Sequence, residues 1–237
     1  MNAQDQDITP DMVLYAYANG MFPMADSRES DELYWYDPEL RGQLSIPNLH
    51  VPRKLRQKVK KFPYDIRVNT AFRDVITLCA EPYADRQETW INPKIIALYT
   101  VLHEQGFAHS VEAWDKETNK LVGGLYGIAL GAAFFGESMF SRADDASKIA
   151  LVHLVARLWK QGFQILDTQF TNDHLKQFNV YEVPRAEYKE ALEKALQNEC
   201  VFYSEEGGGA SSDKCSSSEL ELVLAFLQSI SQTSKIG

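Results

Sequence analysis

The sequence has 237 residues, of which 45% are hydrophobic and 24% charged, and its formal net charge is -9. This is ample chain for a sizeable core, in one large domain or in two small ones. We expect a cytoplasmic protein without a membrane segment, because the sequence starts with no basic-then-apolar leader and no apolar run approaches the roughly 20 residues of a membrane span.

The cysteines and histidines do not indicate a metal centre. Cys79, Cys200 and Cys215 are far apart, and neither they nor the five histidines form a CxxC, HExxH or mixed Cys/His ligand spacing. We interpret the cysteines as structural or tolerated thiols and expect no metal ion.

The first predicted element is a helix near the N-terminus. Thr9 is suited to cap it, Pro10 to occupy its first turn and Gly20 to end it. Residues 21–38 follow as loop and short strand with many aromatic side chains. Such side chains either pack in a core or stack on nucleic-acid bases.

A strongly basic segment lies at residues 50–67 of this acidic chain. It contains seven basic residues and one acid, a local net charge of +6 with histidine neutral, whereas residues 187–221 contain nine acids and three lysines, a net charge of -6. A basic segment of this kind is typical of a surface that contacts phosphate groups, although a solvated helix face gives the same pattern. The candidate phosphate contacts are Arg53, Lys54, Arg56, Lys58, Lys60 and Lys61.

Two amphipathic helices and a strand are predicted next, at residues 70–80, 92–105 and 107–114. Asn92 is suited to cap the second helix and Gly106 to end it.

The composition of the chain predicts three regions. We expect an N-terminal α+β domain at 1–90, a second domain at 91–203, and a low-complexity loop with a C-terminal tail at 204–237.

Residues 121–169 predict the order strand, strand, helix, strand. Two apolar runs separated by Gly131 suit a tight hairpin of buried strands. Asp144 or Asp145 can cap the following helix, which Gly162 ends, and residues 163–170 return as a strand.

The strand at 163–170 is a candidate for a functional site. Asp167 and Gln169 share one of its faces, and Leu166 and Thr168 share the other. A buried strand with a carboxylate and an amide on the same face needs polar partners for both groups.

This order of elements resembles the N-acetyltransferase-like acyltransferase architecture. The predicted fold class is therefore α+β, with a small N-terminal α+β domain and a C-terminal acyltransferase-like domain whose sheet is mostly antiparallel. That architecture usually binds coenzyme A through a glycine-containing loop at the start of the helix. The corresponding loop here, residues 141–147, has two acids and no glycine, so we expect a different acyl donor.

A series of short motifs runs along the chain in a fixed order. The C-terminal ones are GESMFSR at 136–142, ASK at 146–148, LDTQ at 166–169, NDH at 172–174 and EVPR at 182–185. The upstream ones are Tyr17 with GMFPM at 20–24, WYDP at 35–38, TWI at 89–91 and HSVEAW at 109–114. From about residue 9 to about residue 195 the series resembles the bacterial leucyl/phenylalanyl-tRNA-protein transferases, although the family often has Trp where this chain has Met24.

The resemblance implies an aminoacyltransferase that needs no cofactor. It would move Leu, also Phe and less so Met, from aminoacyl-tRNA to the free α-amine of proteins with N-terminal Arg or Lys. This transfer marks those proteins for degradation by the N-degron pathway. The resemblance also favours the interpretation of residues 50–67 as a tRNA contact. It implies that the domain at 1–90 contributes to tRNA binding and that 91–203 is the acyltransferase-like catalytic domain.

The resemblance also implies roles for particular residues. Asp167 and Gln169 match the family's catalytic pair, with Gln169 contacting the attacking amine and Asp167 orienting or polarising it. Glu137 can pair with a cationic acceptor, or it can be a structural acid held by backbone or by Arg142.

The Leu or Phe side chain of the donor needs an apolar pocket. Its candidate residues, for which ordinary core packing is an equal explanation, are Trp114, Leu125, Phe134, Phe135, Met139 and Leu154. Asn172 is a further candidate for substrate binding, as a support of the polar network around Glu137.

Two other functions fit parts of the sequence. A coenzyme A-dependent N-acyltransferase would need a pyrophosphate-binding loop. A non-catalytic RNA-binding module would bind through residues 50–67 and transfer nothing.

Overall fold

The computed structural model describes residues 8–30, 32–83, 88–202 and 212–233, without the side chains of 212–217 and 233. Residues 203–211, which include the first part of the predicted low-complexity loop, lie outside the described residues.

The described part of the chain contains eight helices, several of which begin and end where the sequence predicts. The Thr9 hydroxyl accepts from the backbone N–H of Met12, the Asn92 side chain accepts from the N–H of Ile95, and Gly162 ends a helix at a φ of 80°. The helices are α1 (Pro10–Ala18), α2 (Arg53–Lys60), α3 (Phe72–Ala80), α4 (Pro93–Glu104), α5 (Ala146–Gln161), α6 (Asp173–Lys176), α7 (Arg185–Leu196) and α8 (Ser212–Thr233).

Nine strands in the described residues form two sheets. They are β1 (Phe22–Ala25), β2 (Leu33–Tyr36), β3 (Leu40–Leu44), β4 (Tyr64–Val68), β5 (Ala108–Asp115), β6 (Leu121–Leu130), β7 (Ala133–Ser141), β8 (Ile165–Gln169) and β9 (Tyr181–Pro184). β1 and β2 form a two-stranded hairpin, and the other strands form a sheet in the order β4-β5-β6-β7-β8-β3-β9.

The large sheet is antiparallel except where β7 pairs with β8. The prediction of an α+β fold is confirmed, whereas the likeness to N-acetyltransferases stays a prediction. β3 and β4 come from the first 90 residues and belong to this same sheet. The domain boundary after residue 90 therefore stays a prediction that the sheet itself does not mark.

Two apolar cores cover the two faces of the large sheet. The first contains buried side chains of α2, α5 and α8, and the second contains buried side chains of α1, α3, α4 and α7. Neighbouring residues on one strand enter different cores: Phe134 lies in the first and Phe135 in the second. This follows from the two-residue alternation of a strand.

The C-terminal helix α8 belongs to the first core. Its residues Val223, Phe226, Leu227 and Ile230 are buried there, and its main neighbour is α5. No helix in the described ranges is both long and apolar enough to cross a membrane.

Candidate active site

The candidate site lies where two neighbouring strands of the large sheet separate. β7 and β8 run parallel and pair only from Ala133 with Ile165 to Phe135 with Asp167. Beyond that point β7 continues to Ser141 with β6 as its partner. A cavity of about 510 Å³ occupies this opening.

The cavity wall is mostly apolar and combines side chains from both cores. Leu125, Leu154 and Leu166 come from the first core, whereas Tyr126 and Phe140 come from the second. The cavity therefore extends through the gap between the strands from one face of the sheet to the other. The remaining lining residues are Tyr83, Trp90, Gly136, Glu137, Ser138, Met139, Ser141, Arg142, Ser147, Leu151, Thr168, Asn172, His174 and Leu175.

Glu137 reaches the cavity because it is the extra residue of a β-bulge. Tyr126 of β6 lies opposite Ser138, and the next residue, Gly127, lies opposite Gly136, so Glu137 has no cross-strand partner. A bulge redirects the side chain of its extra residue. Gly127 permits the close approach of β6 to β7 at the bulge, since a Cβ there would collide with the Phe135 carbonyl oxygen.

Two buried tyrosines hold the Glu137 carboxylate. Tyr17 donates to Oε1 at 2.5 Å, and Tyr99 lies 3.5 Å from Oε2. The two tyrosine hydroxyls are also 2.5 Å apart. Burial raises the pKa of Tyr17 and of Tyr99 well above the usual value, so both phenols keep their protons and can act as donors.

Glu137 has a pKa matched to neutral pH. Desolvation raises the pKa of this carboxyl to about 7, against the lowering effects of the hydrogen bond from Tyr17 and of the nearby Gln169 amide. Near pH 7 the group is therefore present both as an acid and as a base. A half-buried carboxyl of this kind in an apolar cavity can exchange a proton with a bound amine.

Asp167 lies next to the cavity and is fully buried in a network of its own. Its carboxylate accepts from Nε of Arg41 at 2.9–3.0 Å, from the Tyr188 hydroxyl at 2.6 Å and from the backbone N–H of Gln169 at 2.7 Å, and Nη2 of Arg41 lies 2.7 Å from Oδ2 as an ion pair. The Arg41 guanidinium also lies between the rings of Phe22 and Tyr188 and donates to the Gly20 carbonyl.

Gln169 has a strained backbone at the end of β8. Its φ of 63° is in the left-handed region, which is uncommon for a residue other than glycine. The side-chain nitrogen of Gln169 is buried and makes no hydrogen bond of good geometry among the described residues. It is nevertheless near enough to Glu137 to lower the pKa of that carboxyl.

The structure brings some of the residues predicted from sequence together at the cavity and places others elsewhere. Leu125, Glu137, Met139, Leu154 and Asn172 line it. Asn172 also caps α6 by accepting from the N–H of Leu175 at 2.9 Å.

The other predicted pocket and catalytic residues are not part of the described lining. Asp167 and Gln169 lie in the adjoining core, and Leu166 and Thr168 take their place at the wall. Phe134 and Phe135 are buried in the two cores. Trp114 donates to Glu112 and lies under Arg67.

The predicted phosphate contacts lie on and just after α2. Arg53, Lys54, Lys60 and Lys61 are exposed. Arg56 and Lys58 are half-buried, Arg56 donating to the Ser231 hydroxyl and Lys58 to carboxylates of the loop before α5.

Sequence reasoning missed several members of the site. Arg41, Tyr99 and Tyr188 hold the acidic groups, and Trp90 lines the cavity. For Trp90 the available signal was its place in the TWI motif at 89–91. For Arg41 it was the requirement of a buried Asp167 for a cationic partner, which does not say where in the chain that partner lies.

Comparisons with known proteins place this chain in a family. Residues 43–193 match the model of the leucyl/phenylalanyl-tRNA protein transferases, and residues 6–39 match the model of the N-terminal domain of those proteins. A leucyl/phenylalanyl-tRNA-protein transferase of Paramagnetospirillum magneticum is 56% identical over 195 residues, which cover 82% of this chain and 92% of the relative. Another, from Hyphomonas neptunium, is 51% identical over 201 residues, which cover 85% of this chain and 77% of the relative.

These matches define the enzyme class as an aminoacyltransferase. The chain belongs to the leucyl/phenylalanyl-tRNA-protein transferase family.

Proposed function

We propose that this enzyme moves Leu, also Phe and less so Met, from aminoacyl-tRNA to the α-amine of proteins that begin with Arg or Lys. The transfer takes place in the cytoplasm and marks these proteins for degradation by the N-degron pathway. The observation that carries the proposal is the Glu137 carboxyl, which combines a pKa of about 7 with a place in an apolar cavity.

The apolar part of the cavity is proposed to hold the donor side chain. Leu125, Met139, Leu154 and Leu166 offer aliphatic and thioether contacts that suit a Leu, Phe or Met side chain. One methylene more or less in such a pocket changes binding by only about 1–3 kcal/mol, so discrimination among the three is loose.

Glu137 is proposed to bind the acceptor and to take its proton. A protein α-amine has a pKa near 8, so at neutral pH it arrives mostly as an ammonium ion that must lose a proton before it attacks. Glu137 accepts that proton, and the neutral nitrogen forms a bond with the ester carbonyl carbon. When the bond to the tRNA ribose oxygen breaks, that oxygen leaves as a hydroxyl with the second amine proton. An acidic site also favours an acceptor with a cationic first residue.

Gln169 and Asp167 are proposed to position Glu137 and the attacking amine. The Gln169 amide lies beside Glu137 and lowers its pKa, and Asp167 fixes the strained backbone of Gln169 by accepting its N–H. Asp167 has no free oxygen left for substrate, because Arg41 and Tyr188 occupy both. Most of the rate would come from proximity, since an ester is already an activated donor.

The test is transfer of labelled Leu from leucyl-tRNA to two peptides that differ only in their first residue. We expect label on the peptide with N-terminal Arg and little or none on the peptide with N-terminal Asp. Equal labelling of both peptides would refute the acceptor preference. Labelling of neither, with tRNA still bound, would favour a non-catalytic RNA-binding protein.

The exposed face of α2 is proposed to contact tRNA phosphates. Charge reversal of Lys60 and Lys61 should weaken tRNA binding and reduce the slope of log K against log salt by about 1–2, because each lost phosphate contact removes about 0.7–0.9 from that slope. Filter binding of tRNA at a series of salt concentrations measures this slope. A slope equal to that of the unmodified protein would contradict this part of the proposal.

A further inference from the structure

The basic residues of α2 divide into two groups by their contacts. Leu55 and Val59 are the buried face of the helix. Arg56 and Lys58 flank that face on opposite sides and are half-buried, whereas the exposed group is Arg53, Lys54, Lys60 and Lys61. Arg56 and Lys58 therefore already form contacts with other elements of the fold in the absence of a phosphate group.

Lys58 joins α2 to the loop between β7 and α5. Its ammonium lies 2.6 Å from an Asp144 carboxylate oxygen and 2.5 Å from an Asp145 oxygen. Two further contacts hold the same loop: Lys148 donates to Asp145 at 2.8 Å, and the Tyr64 hydroxyl donates to the Asp144 carbonyl at 2.9 Å.

Asp145 occupies the cap position of α5 without acting as a cap. Its φ is 57°, in the left-handed region, and its side chain accepts no hydrogen bond from a backbone N–H in the first turn of the helix. The carboxylate points instead to Lys58 and Lys148. A strained residue of this kind persists where its surroundings hold it in place.

The loop that Lys58 holds is also a wall of the cavity. Arg142 of this loop lines the cavity, together with Ser141 at the end of β7 and Ser147 in the first turn of α5, and the backbone N–H of Ser147 donates to the Ser141 hydroxyl at 3.2 Å. These lining residues are within four positions of Asp145 in the sequence.

We propose that Lys58 is a positioning residue. It holds the cavity-lining segment 141–147 against α2 and so fixes the proposed tRNA-binding helix relative to the cavity. The proposal deepens the proposed function and rests on it. Lys58 is assigned this role rather than a phosphate contact, because two carboxylates already neutralise it and would repel a phosphate placed beside it.

The test compares Lys58→Gln with Lys60→Gln in the full chain. Lys58→Gln should lower kcat for transfer about fivefold and leave both KM for leucyl-tRNA and the salt slope of tRNA binding unchanged. Lys60→Gln should instead raise KM, lower the salt slope by about 0.9 and leave kcat unchanged. Lys58→Arg should restore kcat, and Lys194→Gln, which removes an exposed charge on α7, should match the unmodified enzyme. A Lys58→Gln variant with raised KM, a reduced slope and normal kcat would overturn the proposal.

Asp145→Asn supplies the second half of the test. Asn tolerates the left-handed backbone, so the change removes the charge and keeps the conformation. The Lys58→Gln, Asp145→Asn double variant should lose no more kcat than the Asp145→Asn single variant. Losses that multiply would mean that the two residues act separately, against the proposal.

Hydrogen exchange of the free protein separates this proposal from the proposed function. Amides of residues 142–147 should exchange about fivefold faster in Lys58→Gln than in the unmodified protein, whether or not any acceptor peptide is labelled. Unchanged exchange would overturn the positioning role. Absent transfer by the unmodified enzyme, with faster loop exchange in the variant, would overturn the proposed function alone.

Discussion

Replacing Glu137 by Gln is expected to lower kcat for transfer by about 10²–10⁴-fold and to leave the affinity for aminoacyl-tRNA unchanged. The amide keeps the size of the side chain but cannot accept the proton of the acceptor ammonium, and general bases contribute on this scale. Single-turnover transfer from leucyl-tRNA and separate binding titrations measure the two quantities. Full activity of the variant would contradict the assignment of Glu137 as the base.

The pH dependence of kcat/KM gives a second test of the role of Glu137. Because the carboxylate is the active form, kcat/KM should rise with pH through about 7 in the unmodified enzyme. Tyr17→Phe removes the hydrogen bond with the largest lowering effect on the Glu137 pKa, so the midpoint should move to higher pH. An unmoved midpoint would show that the profile reports another group.

Glu137 should also make the fold less stable above neutral pH. Its pKa is higher in the folded protein, about 7, than in the unfolded chain, so its contribution to stability is present below the unfolded pKa near 4.5 and is lost as pH rises through about 7. Glu137→Gln removes this penalty and should stabilise the protein by about 1–3 kcal/mol at pH 8 and little at pH 5. A Tm that rises equally at both values of pH would argue for a different cause.

Local rules account for the elements that the sequence predicted well. Thr9, Asn92 and Gly162 act at helix ends through hydrogen bonds or backbone geometry that involve only their immediate neighbours. Apolar spacing located the strands of residues 121–140 for the same reason.

Alternation along β8 predicted which residues share a face, but not which face borders the cavity. Asp167 and Gln169 do lie on one side and Leu166 and Thr168 on the other, yet Leu166 and Thr168 are the pair at the cavity wall. That outcome depends on where β7 leaves β8, which is a tertiary feature without a local signal.

The partners of charged residues also could not be predicted from the sequence. Asp167 pairs with Arg41, which is 126 residues away, and the bulge that directs Glu137 into the cavity depends on its pairing with β6. The basic segment was visible as a local charge of +6, but the contacts of Arg56 and Lys58 come from α8 and from the loop before α5.

Breaking the buried ion pair of Arg41 and Asp167 should have the largest effect on stability. Arg41 is 1% exposed and Asp167 0%, so Arg41→Met leaves a carboxylate buried with only Tyr188 and a backbone N–H as donors. Removing one partner of such a pair destabilises a protein by about 3–5 kcal/mol, which lowers Tm by about 10 °C in a chain of this size. Asp167→Ala should have a similar effect and should also abolish transfer while tRNA affinity is kept, since Gln169 loses its backbone support.

Arg185→Met is the matched control, because Arg185 forms a partly exposed pair with Asp37 at 3.2 Å. Exposed pairs contribute little, so Tm should change by less than about 2 °C in that variant. The double variant Arg41→Met, Asp167→Leu should be more stable than either single variant at Arg41 or Asp167, since no charge then remains buried and unpaired. Differential scanning calorimetry of these variants measures Tm. If Arg41→Met lowers Tm no more than Arg185→Met does, the buried pair does not hold β3 and β8 together in the way its geometry indicates.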